Sequence, residues 1–259
     1  MPLILSNTNS SGTPGYTLQM SNTLNKGNLT MSVAASPFIT AGLILNLDAG
    51  NALSYPGTGT TWTDLSGQNN TGTLVGSPTY TSSPGYFTFA ANKNVTTALS
   101  NIALSAATFI AWVYSTQTQN GYTGVIFNRT GNGGSTALAT GMDLFSSNSI
   151  GYHWNDSSAT YNWNSGLYVP NNAWSMIAIT VNSTTATAYL CQSSGITTAT
   201  NTVNHSPLSG LNFFIACDPS SKSARAFIGN IAITLIYNTA LSLSDITTNY
   251  NTQKSRFGL

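Results

Sequence analysis

LILNLDAGNALSYPGTGTTWTDLSGQNNTGTL, residues 43–74, begins as a short apolar run and passes into glycine, threonine and asparagine around Trp62. Two of the six acidic residues of the chain, Asp48 and Asp64, lie in it. Catalysis, calcium binding and scaffolding are the three roles open to them. Asp and Asn side chains cap turns by accepting hydrogen bonds from backbone two residues on. Pro56 and Gly57 suit a tight turn, and Trp62 suits a plug at one end of a sandwich. Scaffolding is therefore the expected role.

Outward from this stretch, runs rich in Val, Ile, Thr, Tyr and Phe recur between clusters of Gly, Asn, Ser and Pro, the pattern of many strands joined by turns. They include YFTFA (86–90), ATFIAWVY (107–114), GVIFNRT (124–130), SIGYHWN (149–155), SMIAITVN (175–182), TATAYLCQ (185–192), LNFFIAC (211–217) and FIGNIAITLIY (227–237). In the last, Ile231, Ile233, Leu235 and Tyr237 alternate with Asn230, Ala232, Thr234 and Ile236, as on a half-buried antiparallel strand. TGNGG (130–134) reads as a flexible turn.

One segment departs from period two. In LSLSDITTNYNTQKSRF (241–257), Leu243, Ile246 and Tyr250 recur at helical spacing. Ser242 and Asp245 form a capping box, and Lys254 and Arg256 fall where a helix end favours cations. This predicts a C-terminal helix of roughly three turns, packed on a sandwich. Residues 1–37 lack tryptophan and show weak alternation in YTLQM (16–20) and NLTMSV (28–33). They read as an extended arm without a core of its own. The expected fold is all-β: an antiparallel β-sandwich over 38–259, with the N-terminal arm at 1–37 and a short C-terminal helix.

Of 259 residues 41% are hydrophobic, enough for a real core, and only 5% are charged, against roughly 25% in an average domain. Net charge is +1, with Lys26, Lys93, Arg129, Lys222, Arg225, Lys254 and Arg256 scattered, so no basic face exists and nucleic acid is not an expected partner. No run approaches the ~20 apolar residues of a membrane helix, so membrane insertion is not expected. MPLILSNTNSSG lacks the basic start of a secretory signal, which points to synthesis in a cytoplasm. Cys191 and Cys217 are expected as buried small apolar residues, with a single bridge as the alternative.

The 43–74 stretch resembles the opening of a concanavalin A-like, laminin-G-like jelly-roll domain of the kind found in bacteriophage structural proteins. FIGNIAITLIYNTALSLSDITTNYNTQKSRFGL, residues 227–259, resembles the ending of that domain, and TFIAWVY (108–114) and NNAWSMIAITVN (171–182) resemble the strands carrying its two core tryptophans. The resemblance spans 38–259. It implies a concanavalin A-like jelly roll, and a virion structural protein such as a capsid decoration, head or tail fibre subunit. The expected location is the virion, with assembly in the host cytoplasm. Residues 1–37 would attach to other virion proteins, and a homo-oligomer is expected.

Enzymes of the same class hydrolyse glycosidic bonds with two carboxylates about 5–5.5 Å or about 6.5–9.5 Å apart. The chain has no glutamate, and Asp48, Asp64, Asp143, Asp156, Asp218 and Asp245 never stand two apart on a strand. There is no G-x-S-x-G elbow and no phosphate-cradling loop. His153, between Tyr152 and Trp154, is expected as a surface or satisfied strand histidine. No catalytic residue, and no enzymatic activity, is expected.

Calcium needs six to eight oxygens, several from carboxylates. Asp143, Asp156 and Asp218 are the aspartates best placed for a rim loop, but none belongs to a dense acidic cluster. No cofactor is expected, with calcium the minority alternative. Sugar binding needs no metal: aromatic rings cover the apolar face of a pyranose, and amides complete its hydrogen bonds. YHWNDSSATYNWNSGLY (152–168) reads as a hairpin offering Tyr152, Trp154, Asn155, Tyr161, Trp163 and Asn164 as ligand-binding candidates. One face of such a hairpin must be core, so about half of these rings are expected to pack inward. A carbohydrate-binding adhesion module, contacting host surface glycans, is the alternative to the virion role and is compatible with it.

Overall fold

The computed structural model describes residues 38–129 and 138–259 in full, together with the backbone of three short strands nearer the N-terminus. These three, Leu5–Ser6, Thr17–Met20 and Leu29–Ser32, form an antiparallel sheet of their own. Two of them fall where the arm shows weak alternation. TGNGG (130–134) lies outside the described residues.

From residue 38 onward the chain is an antiparallel β-sandwich with one short C-terminal helix. The first sheet has eight strands, seven of them in the order Gly195–Asn201, Ala186–Gln192, Trp174–Val181, Ala107–Ser115, Gly229–Tyr237, Tyr86–Phe89, Thr79–Thr81. Leu43–Asp48 joins it along Gly229–Tyr237. The second has seven strands, in the order Ile150–His153, Thr140–Leu144, Thr123–Asn128, Phe213–Ile215, Asn94–Thr97, Gly72–Val75, Thr61–Trp62. Between them lies the main core, with Phe109, Ala111 and Val113 from the central strand of the first sheet and Val125, Met142, Tyr152 and Phe213 from the second.

The central strands of the eight-stranded sheet, Trp174–Val181, Ala107–Ser115 and Gly229–Tyr237, are buried on both faces. Ile110 and Trp112 alternate with the inward residues and point to the other side, where they meet Ile246, Tyr250 and Phe257. Trp112 stacks on Phe257 at 4.2 Å and on Tyr250 at 5.8 Å, and its indole Nε1 donates to Gln253 Oε1. The expectation of a half-buried strand at 227–237 is corrected here: Gly229–Tyr237 is buried along almost its whole length. Its alternation also breaks. Val113 pairs with Ile231 and Trp112 with Ile233, so Ala232 is an extra residue, a β-bulge. Ile231 therefore faces the sandwich core with Ile236, while Ile233, Leu235 and Tyr237 face the helix.

The helix runs Leu243–Gln253, and its capping box is present: Ser242 Oγ accepts from the Asp245 amide while the Asp245 carboxylate accepts from the Ser242 amide. Ile246 and Tyr250 are buried as expected, but Leu243, at the first position, is 53% exposed. Arg256 lies in a following turn, Lys254–Phe257, and its guanidinium meets Asp48 and the carbonyls of Pro84 and Gly85. The two ends of the domain are thus clasped together. Of the two tryptophans expected in the core, Trp112 is fully buried under the helix and Trp174 is half-buried beside Tyr86, Tyr114 and Phe257.

The 43–74 loop is scaffold. Trp62 is fully buried, edge-on to Phe87 at 4.8 Å. Asp64 is buried and accepts from the amides of Asn46, Ser66 and Asn70 and from the Ser66 hydroxyl, at 2.7–2.9 Å. Cys191 and Cys217 are both free and buried, and burial pushes both thiols up to about 12.

Candidate functional site

The outward face of the seven-stranded sheet carries the chemistry. Phe127, Gly141 and His153 stand side by side on three adjacent strands. Gly141 has φ +137°, a conformation L side chains rarely adopt, and a Cβ there would strike the Ile126 carbonyl. With no side chain between them, the Phe127 and His153 rings meet edge to face at 4.9 Å. Two residues along, Asp143 lies between Gly124 and Gly151. The chain then turns back through Asn155 and Asp156, both left-handed (φ 53° and 52°), a conformation that Asn and Asp tolerate best among L residues. A four-residue helix, Ser158–Tyr161, follows and lays Tyr161 over His153, stacked at 5.4 Å.

A second layer of charge comes from distant segments. Asp218, with a fully buried side chain, takes Arg129 Nε at 3.1 Å and Arg225 Nη1 at 2.8 Å. Burial pushes this carboxyl up, but the Ser220 amide and the two guanidinium groups outweigh it and hold it below the usual range. Asp156 sits at the rim, its carboxylate 3.6 Å from both Arg129 Nη1 and His153 Nδ1. Tyr122 closes the other side, with the Arg225 guanidinium 5.3 Å from its ring centre. Tyr122 is itself left-handed (φ 62°), a backbone state costing about 1–3 kcal/mol for a non-glycine residue and frequent at functional sites.

Tyr122, Arg129, His153, Asp156, Tyr161 and Arg225 line a cavity of about 220 Å³. His153 is 3% exposed, and its Nε2 lies 3.1 Å from Asp143 Oδ2. That approach has the distance but not the direction of a hydrogen bond. Both ring nitrogens and Asp143 Oδ2 are thus buried without a hydrogen-bond partner among the described residues. Such groups are costly to leave unmet, by about 1–3 kcal/mol each.

Of the six residues expected to bind a ligand, the structure brings only Tyr161 to this cavity. Tyr152 and Trp154 are buried in the sandwich core, where Tyr152 Oη meets His205 Nε2 and Trp154 Nε1 donates to the Ser206 carbonyl. Trp163 packs edge-on against Tyr152, while Asn155 and Asn164 are exposed, Asn164 accepting from Ser149 Oγ and the Gly166 amide. The expected hairpin is a strand, a turn and a helical turn. Tyr152 and Trp154 do share one face and His153 takes the other, which is why the histidine reaches the site and its neighbours do not. His153, expected as a surface or satisfied residue, is neither.

The three aspartates singled out for calcium do converge here, but Asp218 is held by two arginines. Among the described residues no group of three or more His, Cys, Asp or Glu side chains is placed to hold a metal ion.

Residues 89–247 match the family model described as the Concanavalin A-like lectin/glucanases superfamily. No curated protein matches the sequence. Among solved structures, domain 4 of the extracellular arabinanase AbnA from Geobacillus stearothermophilus, in complex with arabinotriose, is similar with a TM-score of 0.57 at 17% identity, covering 80% of this chain and 97% of that one. Trypanosoma rangeli sialidase in complex with sialic acid matches with a TM-score of 0.57 at 13% identity, over 83% of this chain and 33% of that one. The same sialidase in complex with the inhibitor DANA gives 0.59 at 14%, over 86% and 34%. The chain spans about one third of the length of the sialidases, and what these likenesses establish is the fold.

They also overturn the expectation that the chain is not an enzyme, because chains of glycoside hydrolases contain this fold. The expectation rested on the lack of glutamate, of aspartates two apart on a strand, and of a nucleophile elbow or phosphate-cradling loop. The folded chain instead gathers Asp143, Asp156 and Asp218 from three separate segments around one histidine and two arginines.

Proposed function

The chain belongs to the concanavalin A-like lectin/glucanase superfamily, and we propose that it is a carbohydrate-binding module whose ligand enters the cavity over the seven-stranded sheet. One observation carries this reading: a buried histidine lining the cavity with neither ring nitrogen hydrogen-bonded among the described residues. The surrounding groups suit a sugar. A hydroxyl both donates and accepts, so it can bond the Asp156 carboxylate and an arginine at once. Tyr122 and Tyr161 supply the aromatic walls. The volume falls below the roughly 300–1,000 Å³ of drug-sized sites, which suits one sugar residue at the end of a glycan.

The test is a glycan array with the full chain, repeated with Arg225→Ala and Tyr161→Ala and followed by an assay for released sugar. Both side chains are partly exposed, so the fold should persist. Each substitution should weaken binding about tenfold or more, the 1.4 kcal/mol of one lost charge-assisted or stacking contact. Undiminished binding by both variants, or silence across the array, would put an end to this assignment. Sugar release would extend the site from binding to hydrolysis.

A second reading places this module on a virion, with residues 1–37 as its attachment. It is supported by the sequence motifs at both ends of the sandwich, and by an arm whose strands pair only with one another among the described residues. The similar structures named above come from hydrolases, so this placement rests on the chain's own sequence. Deleting residues 1–37 should abolish incorporation into particles and leave sugar binding unchanged. Normal assembly of the truncated chain would reject it.

A further inference from the structure

Tyr161 enters the cavity on an element too short to hold itself. Isolated helices need roughly a dozen residues or more to persist, and Ser158–Tyr161 has four. Ser157, at its start, makes no capping bond with its side chain. The amides of Thr160, Tyr161, Asn162 and Trp163 go to the carbonyls of Ser157, Ser158 and Thr160. The Ala159 carbonyl is passed over, one of the orphan acceptors that helix ends leave.

A side chain from the eight-stranded sheet takes it up. Asn201, the last residue of Gly195–Asn201, donates from Nδ2 to the Ala159 carbonyl at 3.0 Å. Among the described residues, this is the one hydrogen bond that Ser158–Tyr161 receives from outside 154–163. The same Nδ2 donates to Tyr152 Oη at 3.1 Å, and Tyr152 Oη lies 2.9 Å from His205 Nε2. The direction of this chain of bonds is set at its far end. His205 Nδ1 meets the Asn182 carbonyl at 2.8 Å, and a carbonyl only accepts, so Nδ1 carries the hydrogen. Nε2 of the neutral ring then accepts from the Tyr152 hydroxyl, whose oxygen is left to accept from Asn201. Asn201 is thereby held with its donor, not its carbonyl oxygen, toward Ala159. Its backbone is fixed as well, paired in register with Ala186.

We propose that Asn201 is a positioning residue of the site: clamped by Tyr152 and His205, it holds the Ser158–Tyr161 turn so that Tyr161 lies over His153. The proposal rests on reading the cavity as a sugar site, because it concerns one aromatic wall of that cavity. A sugar stacked on Tyr161 then depends on a residue that it never touches.

The test reads the wall first without ligand, at neutral pH. The chain has two histidines, so the ring protons of His153 are identified in an NMR spectrum by their absence from His153→Gln. The stacked Tyr161 ring shields them, and Tyr161→Ala should move them downfield. Asn201→Asp keeps the shape of the side chain but has no donor for Ala159. It should move the His153 signal in the same direction, as should Asn201→Ala, whereas a residue that only filled space would be replaced by Asp without effect. Both variants should also weaken binding of a glycan selected on the array by about tenfold, as Tyr161→Ala does. A His153 signal unmoved in both variants overturns the proposal, and so does undiminished glycan binding by both. A wild-type chain silent on the array overturns the sugar reading instead, and the His153 signal still decides whether Asn201 sets Tyr161.

Discussion

Tyr152, His153 and Trp154 are consecutive, yet two belong to the core and one to the site. Their alternation across the sheet was legible in the sequence, but which face the sheet buries was not. Composition favoured the two larger rings as ligand contacts, while packing assigns them to the interior, because large aromatics fill a sandwich core well. Trp154 is 2% exposed and its indole nitrogen is satisfied by the Ser206 carbonyl. Trp154→Ala should accordingly cost about 3–5 kcal/mol of stability, as large-to-small core substitutions do. Chemical denaturation would read this directly, and a variant of wild-type stability would show that the indole is not core. Asp64 illustrates the opposite outcome. The turn chemistry of Asp in WTDLSG pointed to local backbone bonds, and its carboxylate does accept the Ser66 amide two residues on.

Secondary elements were legible wherever a local rule governs them. The C-terminal helix followed from its capping box and apolar spacing, both of which depend on a few adjacent residues. Ser242→Ala removes the hydroxyl that accepts the Asp245 amide, and should lower stability by about 1 kcal/mol without altering the sandwich. The melting temperature of that variant checks this, and an unshifted midpoint would mean the cap contributes nothing. Strand Gly229–Tyr237 was only half legible, because a bulge at Ala232 swaps the facing of everything before it and leaves no mark in period-two alternation. Its second buried face was equally hidden, since it exists only because the helix covers it. The edge Gly195–Asn201 was missed for a different reason: its threonines lack the apolar alternation by which half-buried strands are recognised.

At the scale of the whole molecule, the site is assembled from residues as far apart as Tyr122 and Arg225, and no spacing rule joins them. One signal was available. Arg129 follows a strand and Asp218 follows another, and isolated charges at strand ends are conspicuous in a chain that is only 5% charged. The same scarcity makes the pH response of the fold simple. His205 is buried with Nε2 against Tyr152 Oη and Nδ1 against the Asn182 carbonyl, and burial lowers its pKa below the ordinary 6.5, despite the opposing pull of that carbonyl. The unfolded chain therefore takes up a proton at His205 near pH 6.5, and the folded chain only at lower pH. Below 6.5 the unfolded state binds more protons, so stability must fall as pH falls. Asp218 acts in the same direction at lower pH. Its carboxyl is held below the ordinary 3.8, so its contribution is complete above that value and is lost as pH falls through the folded-state pKa. Melting temperatures should decline once the pH drops below about 6.5 and decline again below about 3.8. His205→Gln, which can still bond Tyr152, should weaken the first decline and leave the second. If the first decline is undiminished in that variant, the proton responsible binds elsewhere.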